Sequence, residues 1–149
     1  MNAIILAIGA GLCWGIGEVF TKSVLHTGKV GPITAITVRS TVALPVIWMA
    51  YFLAMKVFKS EPANWTQAGA PTLLKLTLGS GLIAGAAAMI LFYSALSVGE
   101  ISRVKPIAFC IAPAVATLLG WFVLGEPVTA KKVGAVAMIL AGVVLLTGK

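Results

Sequence analysis

Charge is scarce in this sequence: of 149 residues only 10% are Asp, Glu, Lys or Arg, and just four of these are acidic. Soluble domains carry roughly 25% charge, so a water-soluble globule is excluded. Histidine occurs once and cysteine twice, with Cys13 and Cys110 both inside apolar runs. A thiol in such a run behaves as a small hydrophobe, and no Cys or His at ligand spacing accompanies either one, so neither a disulfide nor a metal centre is expected. No glycine cluster is followed by Lys and Ser or Thr at P-loop spacing, which excludes ATP hydrolysis by the chain itself. No nucleophile–base pair is visible, so no enzyme and no cofactor are expected.

Apolar surface is what the chain has in abundance. Sixty percent of its residues are hydrophobic, and the mean hydropathy is +1.06. At about 20 apolar residues per crossing, the length accommodates five helices with short connections and no soluble domain. Apolar runs bounded by Gly, Pro and charge predict helices at about 3–25, 32–57, 72–97, 105–124 and 130–147. The first run is longer than the roughly 7–15 residues of a signal-peptide core and lacks a clear A-x-A site, so it reads as a retained helix. The fold class is therefore all-α, a polytopic membrane protein of five transmembrane helices with lipid as its surroundings. The segment from Lys59 to Gln67 is the one plainly polar connection, and Trp65 suits a headgroup-level ring.

The 11 basic residues, which give a net charge of +7, are scattered between apolar runs rather than gathered into a stripe, so no nucleic acid partner is expected. Sorted by side, with Arg39 left out as intramembrane, Lys56, Lys59, Lys75, Lys131 and Lys132 fall with the N-terminus, and Lys22, Lys29, Arg103, Lys105 and Lys149 fall opposite. Because the excess of Lys and Arg decides which loops stay cytoplasmic, an even split leaves orientation undetermined and permits insertion in both directions. The alternatives are that Lys22 and Lys75 lie too deep to count, or that a partner sets the orientation.

Two ionisable residues fall within predicted spans. An ionised group near the bilayer centre costs about 2.5–3.5 kcal/mol even on the mildest scale, so Glu18 and Arg39 require partners or water. Glu18 lies seven residues before the predicted end of the first helix, and Arg39 seven after the predicted start of the second. Both ends meet at one connection, which places each about 10 Å below the same surface. Lys22, four positions after Glu18, shares its face in the favourable order or snorkels to the headgroups. Trp14 lies on roughly the face of Glu18, and Tyr93 and Ser94 fall on the same side of the membrane. The expectation is a polar half-cavity opening away from the N-terminal side, with Glu18, Arg39, Lys22, Trp14 and Tyr93 as candidate substrate- or proton-binding residues. The competing reading is a buried ion pair of Glu18 with Arg39 or Lys22 that fixes helix registry and moves nothing. Gly11-x-x-x-Gly15 and Gly81-x-x-x-Gly85 are candidate small-residue packing seams. Pro45 and Pro113 can kink their helices.

The stretch from Phe92 to Gly148 resembles the last three helices of an EamA domain of the drug/metabolite transporter superfamily. The matching features are Phe92-Tyr93-x-Ala95-Leu96, Ser102 and Pro106 before helix 4, and the turn Leu124-Gly125-Glu126-x-x-Thr129. Trp14-Gly15, Lys22 and Arg39 are also placed as in that family, so the resemblance covers nearly the whole chain as a single EamA-like transmembrane domain, residues 1–149. It implies one five-helix repeat, half of a ten-helix inverted-repeat transporter in the cell membrane, the inner membrane of a bacterium or archaeon. Two positions depart from the pattern: Glu18, where the family usually has an uncharged residue, and Lys105 before Pro106. The segment Glu18-Val19 with Thr21 and Lys22 is similar to the first helix of small multidrug resistance proteins of the same superfamily, which use a membrane-embedded Glu to bind protons and cations. Glu126-Pro127 with Thr129 reads as a structural cap of helix 5.

The expected function is secondary transport of small metabolites or amphipathic compounds by proton-coupled antiport. The expected assembly is an antiparallel homodimer, or a heterodimer with a similar chain. The alternative is a non-transporting subunit that pairs with another half-size membrane chain. Reporter fusions at both termini are expected to register each terminus on both sides of the membrane; signals from a single orientation would defeat dual insertion.

Overall fold

The computed structural model describes residues 2–148. It is helical, and five of its helices are long and apolar enough to cross a membrane: α1 (Ala3–His26), α2 (Pro32–Val57), α3 (Ala70–Val98), α4 (Ile101–Leu124) and α5 (Ala130–Thr147). Lys149, counted above on the side opposite the N-terminus, lies outside the described residues.

Local chemistry sets the helix ends. Asn2 caps α1 by accepting the Ile4 N–H at 3.1 Å, and α2 opens on Pro32 directly after Gly31, where the missing N–H removes nothing the helix needs. Gly69, at φ 87°, turns the chain into α3, and Gly125, at φ 66°, ends α4. Both positions favour a residue without Cβ. The fourth helix starts at Ile101, earlier than its proline suggested. The Glu100 carbonyl accepts from Arg103 and Val104 at 3.0 and 2.9 Å, so the helix is under way before Pro106. Proline there removes one bond inside the helix rather than marking its edge.

Two stretches are wound more widely than an α-helix, Leu53–Val57 in α2 and Lys75–Ala87 in α3. Their hydrogen bonds reach five residues back: Phe58 N–H to the Leu53 carbonyl at 2.9 Å, and Ala88 N–H to the Ile83 carbonyl. A Cβ added at Gly85 would stand 3.2 Å from the Ser80 carbonyl of the same helix, whereas one at Gly11 would meet nothing within 4 Å. Neither glycine sits where two helices of the chain approach closely, so the seams read from the sequence do not pack this chain against itself at those two positions.

The chain divides into two compact units, one ending at Ser97 and one beginning at Val98. In the first, the buried residues are Glu18 and Leu25 of α1, Ile36 of α2, and Tyr93 and Leu96 of α3. All of them lie toward the ends that meet at the α1–α2 connection. Outward-facing side chains such as Ile5, Leu12, Val42 and Ile83 are exposed, as expected of helices that gain little by hiding apolar surface from lipid.

In the second unit, α4 and α5 form a hairpin whose turn is held by backbone and side chain together. The N–H groups of Gly125 and Glu126 both donate to the Gly120 carbonyl, and the Glu126 carboxylate folds over Gly120, with Oε2 3.2 Å from where a Cβ would be. Gly120 is buried for that reason. Thr129 Oγ1 accepts the Lys132 N–H at 3.3 Å, and Lys132 Nζ donates to the Pro127 carbonyl at 3.1 Å. The turn is thus the structural cap that its sequence announces. Thr129→Ala is expected to lower stability by about 1 kcal/mol and Thr129→Ser to retain it, as measured by thermal unfolding in detergent.

Candidate functional site

Five residues of α1 recur at the three- and four-residue spacing that stacks side chains on one helix face. Cys13, Trp14, Gly17, Glu18 and Thr21, together with Arg39 of α2, line a cavity of about 170 Å³. Three of the sequence candidates, Glu18, Arg39 and Trp14, therefore share one enclosure. The depth arithmetic that paired Glu18 with Arg39 rests on helix length alone, and the geometry agrees with it. Glu18 is 3% exposed, whereas Trp14 presents 48% of its surface.

Tyr93 joins the site from α3. Its side chain is wholly buried, and a buried phenol requires partners for its oxygen. Arg39 Nη1 donates to Tyr93 Oη at 2.8 Å, with the guanidinium carbon 5.7 Å from the ring centroid. Thr21 Oγ1 stands 3.5 Å from the same phenol oxygen and donates its own proton to the Gly17 carbonyl at 3.1 Å. With the Thr21 proton so placed, the phenol proton is the one left for the Tyr93–Thr21 contact. The bonds run in one direction, from Arg39 to Tyr93 to Thr21 to the α1 backbone, and they connect three helices through one oxygen.

Lys22 is placed otherwise. Its Nζ donates to the Leu96 carbonyl of α3 at 2.9 Å, and it is not among the residues lining the cavity. Leu96 is one of the last four residues of α3, whose carbonyls have no donor further along the helix, and a cation there also meets the negative end of the helix dipole. Lys22 thus serves the end of a neighbouring helix.

In each helix a buried apolar residue stands on the connection side of the polar one: Leu25 after Glu18, Ile36 before Arg39, and Leu96 after Tyr93. Cys13, Gly17 and Thr21 were not among the site candidates of the sequence, although they lie within five positions of Glu18 along its own helix. Larger cavities of about 440 and 430 Å³ flank the α4–α5 hairpin. The ionisable residues lining them, Glu126 and Lys132, are committed to the turn described above.

At the far end of α2, Trp65 Nε1 donates to Tyr51 Oη at 2.9 Å, and the Tyr51 ring meets Trp48 edge-on at 5.5 Å. This places the indole of the polar connection in an aromatic group of the kind found at membrane–water interfaces.

Removing the phenol oxygen tests the bridge. Tyr93→Phe leaves a partly buried guanidinium donor without its acceptor and is expected to destabilise the fold by about 1.5–3 kcal/mol. Thr21→Val, which loses only the long contact and a bond within its own helix, is expected to cost less. Denaturation of the purified protein in mixed micelles gives both values.

No curated protein and no solved structure matches the chain. The model of the EamA-like transporter family matches it over residues 1–148. With five membrane-crossing helices and a match spanning almost the whole sequence, this multi-pass membrane protein belongs to the EamA-like transporter family.

Proposed function

We propose that the chain is a secondary transporter of small metabolites or amphipathic compounds, working by proton antiport through Glu18. The observation that carries this reading is a carboxylate only 3% exposed on the wall of a cavity that also holds a guanidinium. A carboxyl group binds and releases a proton, and here it shares one cavity wall with a cation. Exchange of a proton for a cationic solute is the chemistry this offers. Trp14 supplies a partly exposed ring over which a planar or cationic solute can stack.

The working assembly in this reading is an antiparallel homodimer in the inner membrane of a bacterium or archaeon, two five-helix repeats of opposite orientation making up the ten-helix carrier. Support comes from the even division of Lys and Arg between the two sides, which lets one sequence supply both orientations. The competing reading is a non-transporting subunit paired with another half-size chain. It draws on the Arg39–Tyr93 bond, which ties α2 to α3.

One substitution separates the two. In reconstituted vesicles carrying a proton gradient, with tetraphenylphosphonium as the amphipathic probe, Glu18→Gln is expected to bring proton-driven flux to the background of empty vesicles while dimer cross-linking persists. Unchanged flux together with loss of the dimer would overturn the transport reading, as would a wild-type chain that moves no probe alone and gains flux only with a second half-size chain.

A further inference from the structure

We propose that Lys22 is a positioning residue, a latch that holds shut the end of the cavity facing the α1–α2 connection. The closure itself is independent of the transport reading; only its use in alternating access rests on that reading.

Leu96 takes part in this closure twice. Its side chain is fully buried, Leu25 and Ile36 are buried too, and in this reading the three make up an apolar layer. Its carbonyl accepts the Lys22 ammonium at 2.9 Å. Withdrawal of the α3 end from α1 therefore breaks the polar contact and the apolar seal in one movement. Two cations from two helices grip this same end of α3, Arg39 through the Tyr93 phenol and Lys22 through the backbone. The Arg39 bond lies on the cavity side of the apolar layer, because Tyr93 precedes Leu96 by almost one turn. Lys22 follows Glu18 by one turn toward the connection. Its ammonium is thus located where it can close the passage without lining the cavity.

The contact is charge-assisted and partly buried, a class of bond roughly twice as strong as a neutral one. Its acceptor is a main-chain carbonyl, which no side-chain substitution at Leu96 removes, so the two halves of the seal can be tested apart. Lys22→Met keeps the length of the side chain and removes the donor. Leu96→Ala keeps the bond and thins the layer.

The reporter is Ile36→Cys, a buried position within the layer, in a background carrying Cys13→Ser and Cys110→Ser. The control is Val57→Cys, exposed at the opposite end of α2. Labelling by a charged maleimide is followed in phospholipid nanodiscs, where both faces are accessible. With Lys22 present, the Ile36→Cys thiol is expected to react slowly. Lys22→Met is expected to speed it about tenfold or more, the loss of one charge-assisted bond, and Lys22→Arg to restore the slow rate. Leu96→Ala is expected to speed it as well, and the Val57→Cys rate to stay constant throughout. An unchanged Ile36→Cys rate in Lys22→Met overturns the latch. So does equal acceleration at both reporters, which would mark general loosening of the fold. These rates require no transported solute, so a failure of the latch and a failure of proton antiport are told apart.

Discussion

A phenol that cannot reach water has to find both its donor and its acceptor inside the protein, and in this chain Tyr93 finds them on two different helices. The guanidinium of Arg39 on α2 and the hydroxyl of Thr21 on α1 converge on one oxygen of α3. In a hydrocarbon environment apolar faces gain little from one another, so a few polar contacts of this kind decide how the helices are registered. The placement of Glu18 depends on that registration, since Thr21 and Gly17, which complete the chain of bonds, are its neighbours on the same helix face.

The helices were legible because their signal is additive: long apolar stretches, the Gly, Pro and charge that bound them, and a capping Thr129 each mark an end by independent physics. The shared depth of Glu18 and Arg39 was legible for a similar reason, since it follows from rise per residue and the position of one connection. What was not legible was which partner each cation would choose. Nothing in the sequence neighbourhood of Lys22 indicates that the end of α3 would offer it a carbonyl. The burial of Leu25, Ile36 and Leu96 was equally hidden, because in a sequence this apolar a buried leucine looks like one facing lipid. Pro106 misled for the converse reason: a proline is a strong signal of a boundary, but a helix started by the Glu100 carbonyl passes through it.

The α4–α5 hairpin relies on a different principle from the first three helices. Its turn contains glycine, glutamate and proline in sequence, and each acts on its immediate surroundings. Gly125 supplies the left-handed backbone, Glu126 covers Gly120, and the Pro127 carbonyl accepts from Lys132. The arrangement is complete within a few residues. The same carboxylate chemistry that makes Glu18 a candidate for proton exchange makes Glu126 a fastener, and the difference is entirely one of surroundings.

The wide winding of α3 bears on how so long an element fits its medium. Twenty-nine residues at the ordinary rise would extend about 43 Å, well beyond a hydrocarbon layer of roughly 30 Å. A helix that places more residues in each turn is shorter for the same sequence. The stretch Lys75–Ala87 therefore takes up part of an overhang that tilt or local thickening of the bilayer would otherwise have to absorb. A change of winding there would alter the length of the rod that carries Tyr93, so bilayer thickness becomes a physical variable acting on the polar centre of the molecule.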